Sequence, residues 1–229
     1  MQPMCLLILV RRLSGALLPG LVAAFLSATP SQASTFLGEF WDVSAPNRSI
    51  DQALNAITGV APTATFQSTA IDYPNGATTR TSSSVTLSQF LGTDAASIVG
   101  NGNAQIITSV FRFTGFIDLI PGQQNFNLGS DDGFRLTIDN NVVSQQNGPR
   151  AFRFTELDTD AGEGRVPFEL IFYENFGRTG VEFYIDSVLA SPAAIPLPNT
   201  ASLGLLSLAA LGGIGMRRSR HEKPLAART

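Results

Sequence analysis

Gly129-Ser130-Asp131-Asp132-Gly133-Phe134-Arg135-Leu136-Thr137-Ile138-Asp139 is the stretch on which the reading of this chain turns. Asp131, Asp132 and Gly133 are expected to form a turn. Adjacent carboxylates repel, so such a turn is costly unless a cation or backbone N–H groups meet the two charges. Beyond it Phe134, Leu136 and Ile138 alternate with Arg135, Thr137 and Asp139, the period of a strand with one buried face. Asp139-Asn140-Asn141 then reverses the chain and Val142-Val143 begins the return. A carboxylate pair is thus placed at the mouth of a hairpin whose other face is core.

The same alternation recurs on both sides. Upstream, Ile107, Phe111, Phe113, Ile117 and Leu119 share a parity broken by Ser109 and Gly115. Pro121-Gly122 marks a turn, and Asn125 to Ser130 delivers the chain to the aspartates. Downstream, Phe152 and Phe154 mark a strand, Val166, Phe168, Leu170 and Phe172 the next, and Val181, Phe183 and Ile185 the last. Near the start, Thr35 to Asp42 and Thr63 to Ile71 read as strands. Between them Ser49 caps a short helix in which Ile50, Ala53, Leu54 and Ile57 recur at helical spacing, and Leu87 to Leu91 gives a second helical turn. Many short alternating strands with one or two short helices predict an all-β sandwich or barrel over residues 34–190.

The two ends differ from this core. Residues 1–33 carry Arg11-Arg12, an apolar run from Leu13 to Leu26 and Ser31-Gln32-Ala33, the three parts of a secretory signal helix cleaved before Ser34. Residues 191–200 form a proline-marked linker, 201–216 an apolar segment expected to cross a membrane as a helix, and 217–229 a basic tail that the positive-inside rule keeps cytoplasmic.

Between Ser34 and Thr200 stand eight arginines against seventeen acidic residues. That balance excludes a nucleic-acid-binding surface and suits a cation or a neutral polar ligand. Cys5 and His221, the only cysteine and histidine, both fall outside this region. Ser–His–Asp, Cys–His and zinc–histidine chemistry are therefore excluded there. Paired carboxylates alone can hydrolyse glycosides, but no other feature supports that reaction. The chain is expected not to be an enzyme.

Two resemblances follow from these residues. Ile195-Pro196-Leu197-Pro198-Asn199-Thr200, the apolar run and Arg217-Arg218-Ser219-Arg220 together resemble a PEP-CTERM sorting signal in its Pro-Leu-Pro variant. This implies an exosortase-type partner acting at Pro196 and Pro198, with Arg217 and Arg218 as the basic end of the signal. The expected route is export, a membrane-anchored precursor, then the cell envelope or extracellular matrix. Two departures stand: Ile195 replaces the usual valine, and the tail from His221 to Thr229 is longer than typical.

The second resemblance spans roughly residues 35–186. Phe36-Leu37-Gly38-Glu39-Phe40-Trp41, Ser130 to Ile138, and Leu170 to Gly177 resemble, in order, the opening strand, central motif and late loop of the protective-antigen-type (PA-14) domain. It implies a β-sandwich of barrel-like shape. Members serve in glycosidases, toxins, adhesins and matrix proteins, so the fold alone does not give the function. In the family's fungal adhesins an Asp-Asp pair joined by a cis peptide binds calcium, and the ion coordinates sugar hydroxyls. Asp131 and Asp132 match that pair, and Asn175 is the candidate for the late-loop asparagine that completes the site. Phe176, in a polar loop, is the candidate to stack on a sugar, whereas Trp41 is assigned to the core. Two readings stay open: a calcium site that presents a glycan or polysaccharide, and a structural turn whose carboxylates cap backbone N–H groups.

Overall fold

Strands with one apolar face must cover it, and here a second sheet does so. A computed structural model describes residues 34–74 and 80–193. In chain order it contains β1 (Phe36–Asp42), helix α1 (Ile50–Ile57), β2 (Ala64–Ser68), β3 (Asp72–Tyr73), β4 (Thr81–Ser82) and helix α2 (Leu87–Leu91). A 3-10 helix (Gly92–Ser97) precedes β5 (Val99–Gly100), β6 (Ser109–Leu119), β7 (Gln124–Asp131), β8 (Phe134–Ile138) and β9 (Asn141–Gln146). The last four strands are β10 (Arg153–Thr159), β11 (Gly164–Glu174), β12 (Arg178–Ile185) and β13 (Val188–Leu189). One sheet has the order β5-β2-β1-β6-β11-β8-β9; the other runs β10-β7-β12-β13, with β3 and β4 also paired to β12.

The core is built in rows across the first sheet. Phe134 pairs with Phe172, Phe172 with Phe111, and Phe111 with Phe40, and all four are fully buried. The row below contains Leu136, Leu170, Phe113 and Gly38. Gly38 is required there because a Cβ would collide with the ring of Phe66. Gly115, the break in the β6 alternation, makes room in the same way: a Cβ would lie 2.8 Å from Phe36 Cδ1. The missing side chain is replaced by Phe36, which meets Phe168 edge-on at 4.7 Å. Phe134, Leu136 and Ile138 face inward as their alternation predicts.

The opposite face of the same sheet carries a smaller core. Trp41, Val110, Ile171 and Tyr173 pack there against Ile50, Ala53 and Ile57 of α1. The helix begins where Ser49 Oγ accepts the Gln52 N–H at 3.2 Å, the expected cap.

Three sequence expectations change. The strand expected to reach Ile71 ends at Ser68, because Ser68 donates to the Ala70 carbonyl and Asp94 takes the Thr69 N–H, diverting the backbone from the ladder. The strand expected from Ile107 starts at Ser109, and the buried position before it belongs to Ile106. Asp131 and Asp132 do not form a simple hairpin turn. β7 runs through Asp131 in the second sheet and β8 starts at Phe134 in the first, so the pair marks the crossing between sheets. The expected signal helix, the apolar segment, Pro196, Pro198, Arg217 and Arg218 lie outside the described residues. Among the described residues no helix is long and apolar enough to cross a membrane.

Candidate functional site

The crossing brings three strand ends together: β7 ends at Asp131, β8 follows Gly133, and β11 ends at Glu174. Gly133 permits the approach, since a Cβ would lie 2.5 Å from the Tyr173 ring and 2.7 Å from the Gln146 carbonyl. The Asp131–Asp132 peptide is cis, as the resemblance implied.

Asp132 is held by backbone. Its Oδ1 accepts the Arg150 N–H at 3.1 Å and its Oδ2 accepts the Asn175 N–H at 2.9 Å. Its carbonyl takes the Ser130 hydroxyl at 2.6 Å, and Ser130 Oγ in turn accepts from the Arg150 guanidinium at 2.9 Å. That guanidinium also lies 5.4 Å from the centre of the Phe134 ring. Arg150 is thus fixed beneath the site by groups that the core supports.

The structure places Asp131, Asp132 and Asn175 at one buried point, 7%, 6% and 5% exposed. Phe176, the next residue, is 58% exposed beside them. Its loop is clamped by Ser83, which donates its N–H to the Gly177 carbonyl and accepts the Gly177 N–H on its hydroxyl, each at 3.0 Å.

One residue was missed in the sequence. Glu174 is fully buried, and one oxygen each of Asp131, Asp132 and Glu174 lie within 4.8 Å of one another. The signal was present: Glu174 extends the inward parity of Val166, Phe168, Leu170 and Phe172 by one step. Both of its carboxylate oxygens are buried without a hydrogen-bond partner, and so is Oδ1 of Asn175. The hydroxyls of Thr179 and Ser83 ease the Glu174 charge but form no bond of ordinary geometry with it.

These carboxyls resist ionisation together. Burial, then the charges of Asp132 and Asp131, pushes Glu174 up to about 9. Burial, opposed by the Asn175 N–H and reinforced by Asp131, pushes Asp132 up to about 6. Asp131 is also raised by burial, against the Phe152 N–H and the charges of Arg80, Arg150 and Arg178. A cluster of hard oxygens, short of donors and costly to charge, has the chemistry of a divalent-cation site. Asp131, Asp132, Glu174 and Asn175 fit calcium: carboxylates and a side-chain amide are its ordinary ligands.

Phe152 and Phe154 stand elsewhere than a core strand would put them. Phe154 lies on the outer face of β10, 42% exposed, and both rings cover Gly129, whose Cβ would come within 2.6 Å of Phe152 and 2.8 Å of Phe154.

No family model matches the chain, and no curated protein is similar to it. Solved structures are. The PA14 domain of the MpAFP antifreeze protein shares 21% identity with a TM-score of 0.61, covering 76% of this chain and 100% of that one. The PA14 sugar-binding domain from an RTX adhesin shares 20% identity with a TM-score of 0.56, covering 70% of this chain and 99% of that one. At these identities the likeness is one of fold, and the fold of this chain is the PA14-type β-sandwich.

Proposed function

We propose that this chain is a non-enzymatic carbohydrate-binding or adhesion module in which a calcium ion presents the sugar. The carrying observation is the buried oxygen cluster of Asp131, Asp132 and Glu174, with unpartnered oxygens on Glu174 and on Asn175 beside it. Asp131, Asp132, Glu174 and Asn175 hold the ion, and sugar hydroxyls complete its coordination. Phe176 offers an apolar face to the sugar ring at the rim. The similar RTX adhesin domain is a sugar-binding one, which supports the reading.

A second reading has an observation of its own. Both oxygens of Asp132 already accept backbone N–H groups, which is what a structural turn requires. A glycan array probed in calcium and in EDTA separates the two. Binding to some glycan in calcium and to none in EDTA is expected; no calcium-dependent binding leaves a structural spacer.

Export and sorting complete the proposal. The Arg-Arg signal, the Pro-Leu-Pro motif, the apolar run and the arginine cluster support a precursor anchored in the membrane, then processed by an exosortase-type enzyme to the envelope or matrix. Replacing Pro196 and Pro198 with Ala is expected to leave the chain membrane-bound and unprocessed. Processing like that of the wild type removes this part of the reading.

A further inference from the structure

Three cations surround a site whose chain is otherwise acidic. Arg150 lies beneath it, committed to Ser130 and Thr155. Arg80 and Arg178 are different, because both are exposed and neither forms an ion pair among the described residues.

The strand register sets their direction. In β12 the inward parity belongs to Thr179, Val181 and Phe183, all fully buried. Arg178 and Gly180 therefore take the outward parity. β4 pairs with β12 through Thr81 opposite Thr179 and Ser82 opposite Arg178, so Arg80 shares that outward face. On the other side of β12, Gly180 pairs with Asp131. Asp131 and Arg80 thus flank β12 at a position where it has no side chain to separate them. Two strand spacings span about 10 Å, close enough for a long arginine side chain to lean over the aspartates. The charges of Arg80 and Arg178 do act on Asp131. Phe176 and Gly177 lead directly into Arg178, so the apolar rim and the cationic rim are continuous.

Calcium alone suffices to hold a neutral diol; two uncommitted arginines on the same rim are not needed for that. They match a carboxylate, which a guanidinium binds through paired N–H donors. We propose that the rim formed by Arg80 and Arg178 selects acidic saccharides, uronate-type sugars whose hydroxyls meet the calcium while their carboxylate meets the arginines. The proposal rests on the calcium-dependent reading above and names its ligand class. The acid excess of the chain does not oppose it, since charges beyond about 8 Å are largely screened at physiological salt. Glu182 and Asp72 share that outward face one step beyond Gly180, and burial raises both carboxyls above their ordinary range. At the near end the ion neutralises the aspartates, and the arginines remain.

The test uses the full-length chain, kept in solution with a detergent that has no sugar headgroup. Digalacturonic acid and its methyl ester, the same skeleton without charge, are titrated in excess calcium and in EDTA. The acid is expected to bind about tenfold tighter than the ester, the worth of one charge-assisted contact. The Arg80→Gln/Arg178→Gln variant is expected to bind both probes equally while its melting temperature still rises with calcium, which shows an intact fold and metal site. If wild type binds the ester in calcium as tightly as the acid, or the double variant keeps the preference, the acidic-sugar proposal is overturned and the calcium-lectin reading stands. If neither probe binds in calcium, the proposal also falls, and an unchanged melting temperature in calcium takes the metal reading with it.

Discussion

Asp94 and Glu174 are both acidic side chains with almost no exposure, 6% and 0%. Around Asp94 every contact is a donor. Thr69 gives its N–H at 3.1 Å and its hydroxyl at 3.0 Å, and the Tyr73 hydroxyl approaches to 2.7 Å. The same Tyr73 oxygen, its one proton directed at Asp94, lies 2.8 Å from Ser68 Oγ, which ties Ser68 into the network. Glu174 has no such set: it faces two other carboxylates, and both its oxygens are unpartnered. Buried polar groups are nearly always satisfied, and a satisfied one needs no ligand. The contrast separates an acid that builds the fold from an acid cluster that the fold holds ready for something else.

The largest expected effect tests the base on which both regions rest. Phe134 lies in the four-phenylalanine row and supports the Arg150 guanidinium from below. Phe134→Ala is expected to cost about 3–5 kcal/mol in a denaturant titration. A loss below about 1 kcal/mol would place the ring at the surface and undo the register from which the site was built.

Asp94→Ala comes next. It leaves the buried Tyr73 hydroxyl and the part-buried Thr69 N–H without their acceptor, a loss of about 2–3 kcal/mol. The comparison demands that this loss be the same in calcium and in EDTA. A loss that shrinks when calcium is added would mean that Asp94 also belongs to the cation site.

Much of this was legible in the sequence, for physical reasons that name the exceptions. Period-2 alternation reports burial, so Phe134, Leu136 and Ile138 and the β11 row could be assigned from it. A side-chain cap is local chemistry, so Ser49 could be assigned to α1. The aspartate pair was visible because adjacent charges are conspicuous in one dimension. For Glu174 the β11 parity signalled burial but not a role, because its neighbours in space come from β7 and from the crossing, more than forty positions upstream. Arg80 and Arg178 were hidden likewise: only the β4–β12–β7 register brings them to the rim. Gly115 read as a flaw in a strand, and became necessary only once Phe36 was seen to fill its place.

Calcium should act on one acid region and not on the other. If the ion binds the folded chain alone, the melting temperature rises with its concentration, by about 2.7 kcal/mol of stability at a hundredfold excess over Kd. Asp132→Asn is expected to weaken the rise, and Asp131→Asn/Asp132→Asn to abolish it. Magnesium should do less, because it gives up its waters reluctantly. A melting point unmoved by millimolar calcium would leave only the structural-turn reading.

The smallest effect is the most discriminating, because it changes sign. Glu174→Gln removes a charge from a carboxyl that the fold pushes up to about 9. In the unfolded chain the same carboxyl titrates near about 4.3. Between these values the unfolded state binds fewer protons than the folded one, so metal-free wild type loses stability as pH rises through that window and stops losing it above. Glutamine has no such titration. In EDTA the variant is therefore expected to lie below wild type near pH 4, because a buried amide has more hydrogen-bonding groups to satisfy than a protonated carboxyl, and to overtake it as pH rises toward 9. The gain is about 1 kcal/mol at pH 7, held down because a buried amide inherits the same shortage of partners. In calcium the order reverses, since the wild-type carboxylate is a ligand and the amide a weaker one. Melting temperatures of both chains, from pH 4 to pH 9 with and without calcium, make the measurement. A Glu174→Gln variant that is less stable than wild type in EDTA throughout this range would show Glu174 to be as well satisfied as Asp94, and the distinction between the two acids would disappear.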